Sequence, residues 1–313
     1  MLVQILLLIL GFFFLYKGAG LLVDGSSSLA KKLKISAGII GLTIVAFGTS
    51  TPELFINLIS NFYNLPDIGT GNIVGANIAI ILLATGLSTL IYPVAIKREI
   101  IRKELPLPIF ATLILILLAN NFFLGGLTVL GRIDGIILLL LFFVFLYYSI
   151  GRAKHIKPPD ILEERWSTCT MHIIIGIAGL IIGGVLVILS STQIASYFGL
   201  AGSVMGLSVI AFGTMLPELF ASAIAASKKN AELAIGNIVG SILFNILFVL
   251  GISSIIKPLP FNFNPELIIS LIAILLVYYF TFNRQDNKKI KRWEGALLLL
   301  VYIFYFGFVI FGI

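Results

Sequence analysis

Long apolar runs separated by short polar stretches follow one another along the whole chain, and few of them are interrupted by a charge. A helix needs about 20 mainly apolar residues to cross the hydrocarbon core of a bilayer, and the runs have that character. The pattern predicts ten membrane-spanning helices, approximately over residues 2–23, 37–62, 68–94, 105–122, 126–150, 171–195, 202–227, 231–256, 264–283 and 294–312. Ten-residue segments of alternating polarity, the mark of a membrane β-barrel, are absent.

Composition supports the same reading. Hydrophobic residues make up 59% of the 313, charged residues only 11%, and the mean hydropathy is +1.12. A soluble domain carries about 25% charged residues, so this chain lacks the polar side chains to cover itself in water. The fold class expected is an all-α integral membrane protein. The first run has no charged segment before it and no small-residue cleavage site after it, which predicts a retained helix rather than a signal peptide.

The net charge is +7, but its distribution does not suggest nucleic acid as a partner. Of the 21 basic residues, 18 fall in the connections after the first, third, fifth, seventh and ninth runs, from Lys31 to Lys34, Lys97 to Lys103, Arg152 to Arg165, Lys228 to Lys229 and Arg284 to Arg292. By the positive-inside rule those connections are cytoplasmic and both termini lie outside; the expected location is the cell membrane. Cys169 is the sole cysteine, which excludes an intrachain disulfide and a thiolate metal cluster.

An internal repeat sets the architecture. "GLTIVAFGTSTPELF" at 41 and "GLSVIAFGTMLPELF" at 206 lie 165 residues apart, and the same offset aligns the two "GNIVG" stretches at 71 and 236. Between 41–93 and 206–258, 22 of 53 positions are identical without a gap. Each half holds five predicted helices, and because five is odd the halves enter the membrane from opposite sides as inverted repeats. The expected organisation is a first five-helix repeat at 1–150, a cytoplasmic linker at 151–170 and an inverted second repeat at 171–313.

The second and seventh helices are predicted to be broken. Pro52 and Pro217 have no amide hydrogen, so Gly48 and Gly213 lose their helical partners. Freed carbonyls are tolerated at membrane depth only where they line a cavity or meet a ligand. Glu53 and Glu218 follow the two prolines, and a carboxylate at the bilayer centre costs roughly 2.5–3.5 kcal/mol even on the lenient insertion scale. Related by inverted symmetry, they are expected to meet near the midplane. With the hydroxyls of Thr49 and Thr214 they make a hard, all-oxygen donor set, which suits Ca²⁺ rather than zinc or copper. The two histidines, His155 and His172, fall in or beside the linker.

These paired "GTSTPE" and "GTMLPE" stretches, each followed by "GNIVG", resemble the α-repeats of the sodium/calcium exchanger family within the cation/calcium antiporter superfamily. The resemblance covers nearly the whole chain. It implies a calcium site of Glu53 and Glu218 with backbone oxygens of Thr49 and Thr214. One flanking sodium site would use the Ala211 carbonyl, the Thr214 hydroxyl, Ser241 and Glu53. Its mate would use the Ala46 carbonyl, the Thr49 hydroxyl and Glu218, but Ala76 stands where that family has serine. Ile80 and neutral Asn245 alter the family's central polar pair, and Met215 replaces a hydroxyl residue whose mate, Ser50, is kept. The implied divalent site is complete and the monovalent sites are not. The implied transport cycle slides the first and sixth helices across the rest.

The function expected is antiport of Ca²⁺ against Na⁺ by alternating access, with no cofactor, lipid as the surroundings and a monomer as the working unit. A proton/calcium antiporter of the same superfamily is the alternative. An enzyme is disfavoured by the absence of a Gly-x-Gly-Asp pair, HExxH, or a Ser–His or Ser–Lys arrangement, and a channel by the need for a symmetric oligomeric filter. Asn72 and Asn237 are expected to cap or bridge helices, and Asp134 and Glu294 to sit at helix starts. Lys17 and Asp24 could pair or snorkel. Gly18, Gly20, Gly183 and Gly184 are expected to allow close helix contact.

Overall fold

The computed structural model describes residues 1–63, 66–93, 102–119, 129–153, 165–197, 211–260, 265–282 and 289–311. In chain order its helices are α1 (Leu2–Leu33), α2 (Ala37–Thr49), α3 (Thr51–Phe62), α4 (66–91), α5 (Pro106–Ala119), α6 (Arg132–Ala153), α7 (Trp166–Tyr197), α8 (Ala211–Thr214), α9 (Leu216–Ser227), α10 (Ala231–Ile256), α11 (Pro265–Phe282) and α12 (Arg292–Phe311). Among the described residues seven helices are long and apolar enough to cross a membrane, and the bent pair α2–α3 adds an eighth. Two shorter apolar helices, α5 and α9, fall on the fourth and seventh predicted runs; residues 202–210 of the seventh lie outside the described residues.

Hydropathy marks the part of a helix that suits lipid, not the point where backbone hydrogen bonding stops. Thus α1 continues ten residues past the predicted end at 23 and stops at Lys34, whose left-handed φ of 56° turns its N–H back onto the carbonyls of Ala30 and Lys31. Likewise α7 begins at Trp166 and ends at Tyr197, beyond both predicted limits. A two-residue antiparallel pairing of β1 (Val129–Leu130) with β2 (Leu259–Pro260), not anticipated from sequence, ties the segments that precede α6 and α11.

Burial sorts the helices into an inner and an outer set. The membrane-length windows of α4 and α10 are 78% and 83% buried, against 22–39% for α1, α6, α7, α11 and α12. The outer helices turn residues such as Phe13, Tyr147, Ile174 and Phe304 outward, as a lipid-facing surface requires. Helices α4 and α10 are symmetry mates, and against them pack α3 and α9.

Small residues bring two helix pairs into near backbone contact. A Cβ on Gly18 of α1 would come within 2.8 Å of the Gly176 carbonyl oxygen of α7, and one on Gly183 within 2.8 Å of the Gly11 oxygen. A Cβ on Gly41 would lie 2.6 Å from the Leu233 oxygen, so α2 is pressed against α10 in the same way. Gly20 departs from the expectation: nothing lies within 4 Å of its missing Cβ, and Gly184 makes only ordinary contact with the Gly213 oxygen at 3.6 Å. The role of Gly20 is its carbonyl, which accepts from Lys228 Nζ at 3.1 Å.

Candidate cation site

The two proline breaks are helix starts rather than defects within one helix. Ser50, with φ −83° and ψ 8°, separates α2 from α3, and the axes bend by 43°. Met215 holds the corresponding position between α8 and α9. Pro52 and Pro217 then lie in the first turn of α3 and α9, where a missing N–H breaks no helical bond. Glu53 and Glu218 lie in those same first turns, and the positive end of the helix dipole favours a carboxylate there.

Both glutamates are fully buried, as are Thr49, Ser50, Thr214, Ser241 and Asn245. The halves interlock through symmetry-related bonds: the Thr49 hydroxyl donates to Asn237 Oδ1 and the Thr214 hydroxyl to Asn72 Oδ1, each at 3.2 Å. Asn237 Nδ2 in turn donates to Ser222 Oγ at 2.9 Å and to the Glu218 carbonyl at 3.3 Å. The two asparagines are thus interhelical bridges, as anticipated. Thr49 Oγ1 also lies 3.4 Å from Ser241 Oγ and 3.3 Å from the Ala46 carbonyl, which accepts from the Ser50 amide as well. Ala211 opens α8 at the position related to Ala46.

Around the carboxylates the symmetry fails. Glu218 Oε1 accepts from Ser50 Oγ at 2.7 Å and from Ser241 Oγ at 3.5 Å. The mates of those serines are Met215 and Ala76, which have no hydroxyl to offer Glu53. Among the described residues both carboxylate oxygens of Glu53, and Oε2 of Glu218, lack a hydrogen-bond partner. Three buried acceptors without donors are exceptional in a native structure. Among the described residues no three His, Cys, Asp or Glu side chains gather, so the charged donors number two.

Asn245 sits in a π-helical turn, Phe244–Val249, matched in the first half by Ile80–Ala84. Its Nδ2 donates to Asn77 Oδ1 at 3.0 Å, so the polar partner of Asn245 is Asn77, three residues before its mate Ile80. Sequence reading missed Asn77, Asn57 and Ser222; a buried amide within an apolar helix was the available signal for the first two.

Other expectations resolve simply. Asp134 Oδ2 accepts from the Gly131 amide and Glu294 Oε2 from the Lys291 amide, both at 2.7 Å and both at helix starts. Asp24 pairs with Lys228 at 2.7 Å rather than with Lys17, because the turn after α9 brings Lys228 onto the face of α1 that also presents the Gly20 carbonyl. Lys17 instead stands 6.0 Å from the centroid of the Tyr16 ring.

Known proteins resemble the chain along nearly its whole length. The family model for "Sodium/calcium exchanger protein" matches residues 3–151 and 169–311. The inner membrane protein YrbG of Escherichia coli (strain K12) is 33% identical, over 95% of this chain and 94% of its own. The sodium/calcium exchanger MaX1 of Methanosarcina acetivorans is 29% identical, over 96% and 97%. A solved structure of the sodium-calcium exchanger NCX_Mj, soaked with Na⁺ and Ca²⁺, superposes with a TM-score of 0.83 at 29% identity and covers 98% of each chain. With two repeats interlocked around a pair of buried glutamates, this chain belongs to the sodium/calcium exchanger family and is a membrane cation/calcium antiporter, not an enzyme.

Proposed function

We propose that the protein exchanges Ca²⁺ for Na⁺ at one position between Glu53 and Glu218, reached alternately from the two membrane faces. The observation that carries this reading is the set of three buried carboxylate oxygens without donors, supplied by symmetry-related helix starts. Ca²⁺ takes 6–8 oxygens, and the carboxylates with Thr49, Thr214, Ser50, Ser241, Asn245 and the Ala46 and Ala211 carbonyls form the candidate donor pool.

Coupling follows from charge. Two bare carboxylates cannot be carried past a low-dielectric barrier without compensation, whereas one Ca²⁺ or two monovalent cations neutralise them. A carrier that changes face only when loaded is an exchanger. The α1–α7 pair, joined through glycines, is the candidate moving unit. In the organisation proposed, five-helix repeats at 1–150 and 171–313 flank a cytoplasmic linker, and a monomer suffices. Both termini face outward, and an inward sodium gradient drives Ca²⁺ export across the cell membrane.

The test is ⁴⁵Ca²⁺ uptake into proteoliposomes under imposed sodium, potassium or proton gradients. Uptake driven by sodium alone is the expected result, and it should vanish in Glu53→Gln and in Glu218→Gln. Uptake driven only by protons or potassium would replace the driving ion. Normal exchange in either variant would remove the site.

A further inference from the structure

Every buried residue of α3 is polar: Glu53, Asn57, Ser60 and Asn61. Phe55, Ile59 and Phe62 point outward, and its other large apolar side chains, Leu54, Ile56 and Leu58, are half-buried. The mate helix α9 is ordinary, and buries Leu216, Leu219 and four alanines beside Glu218 and Ser222. Asn57, one turn beyond Glu53, is wholly buried, yet neither its Oδ1 nor its Nδ2 has a partner among the described residues. Gly69 of α4 leaves it room, since a Cβ there would stand 3.0 Å from Asn57 Nδ2.

One more turn outward, Asn61 Nδ2 donates to the carbonyls of Ser253 and Lys257, at 2.9 and 3.2 Å, so α3 and α10 end at the same membrane face. The buried Ser253 hydroxyl beside this contact has no partner either, nor at the inner end does Asn245 Oδ1, whose amide holds Asn77. The repeat that preserves the glutamates abandons these positions. Where this direction has Asn57, Asn61, Asn77 and Asn245, the symmetry-related direction has Ser222, Ala226, Ile242 and Ile80. Ser222 is moreover satisfied by Asn237.

Each unpaired buried polar group costs the fold about 1–3 kcal/mol, and in a membrane such groups are kept where water or ions pass. We propose that the Asn57–Asn61 face of α3, with Asn77 and Asn245 at its inner end, lines the passage by which a hydrated cation travels between the Glu53–Glu218 position and the membrane face where α3 and α10 end. This rests on the glutamate pair being the transport position. The amides exchange hydrogen bonds with the cation's departing waters without adding charge that would trap it.

The experiment uses exchanging proteoliposomes in a Cys169→Ala background, with a small membrane-impermeant cationic methanethiosulfonate reagent. Lys257→Cys defines the face. Asn57→Cys should react, and exchange should stop, only when the reagent is applied at the face where Lys257→Cys reacts. Asn57→Leu should slow exchange by roughly tenfold while purified protein still binds Ca²⁺, a combination that a folding defect would not produce. An unreactive Asn57→Cys in a protein that exchanges, reaction from the opposite face alone, or an Asn57→Leu protein with the parental rate would each overturn the passage. None of these touches the glutamate site, whose failure shows instead as exchange in the glutamine variants.

Discussion

Replacing either glutamate by glutamine should abolish exchange, but the two variants should differ in stability, because the glutamates differ in their donors. Glu218 holds a short charge-assisted bond from Ser50 at 2.7 Å, while Glu53 has no such partner. Hydrogen bonds to charged groups contribute about 1.5–3 kcal/mol and neutral ones about 0.5–1.5 kcal/mol. Glu218→Gln converts the Ser50 bond from the first kind to the second and loses about 1–1.5 kcal/mol. Glu53 has no comparable short bond to weaken, only a looser interaction with the Thr214 hydroxyl. Both variants leave a single buried glutamate and introduce one buried amide, so the contributions common to the two cancel in the difference. In the absence of Ca²⁺ and Na⁺, Glu53→Gln should therefore be the more stable by about 1–1.5 kcal/mol. At roughly 2–4 °C per kcal/mol, the two midpoints should lie about 2–6 °C apart. The assay is thermal unfolding of purified protein in detergent with a chelator, repeated with Ca²⁺. Added Ca²⁺ should raise the Tm of the parent and of neither variant. Equal midpoints, or a more stable Glu218→Gln protein, would refute the unequal hydrogen bonding of the pair.

Ala76→Ser restores a hydroxyl on the Glu53 side and should steepen the dependence of Ca²⁺ flux on Na⁺ concentration with little change in Ca²⁺ affinity; an unchanged Na⁺ curve would count against a ligand deficit there. Gly18→Val drives a branched side chain into the Gly176 carbonyl and should cost about 1–3 kcal/mol of stability, seen as a lower Tm. Gly20→Ala meets open space and should be neutral or slightly stabilising in the same measurement. Lys103→Cys should be labelled by an impermeant thiol reagent only from the cytoplasm and Lys257→Cys only from outside, and the reverse result would invert the orientation.

Much of the fold was legible along the chain because its causes are local or periodic. Apolar length marks what can lie in lipid, a repeat at a fixed offset needs no coordinates to be seen, and proline removes its amide wherever it stands. Glu53, Glu218, Thr49 and Thr214 stood out for the same reason: groups costly in a membrane, placed twice in the same motif. What the linear order could not say is which half satisfies which. Ser50 is three residues from Glu53, yet its hydroxyl reaches Glu218, and Thr49 and Thr214 each bond an asparagine of the other repeat. Asp24 finds Lys228 instead of Lys17 because a turn between distant helices lies closer in space than two turns of its own helix. Asn57 and Asn77 were not singled out along the chain; packing encloses one without partners and sets the other against Asn245. Hydrophobicity and repetition are additive along a sequence, whereas hydrogen-bond satisfaction depends on three-dimensional neighbours, and only the interlocking of the two inverted halves decided those.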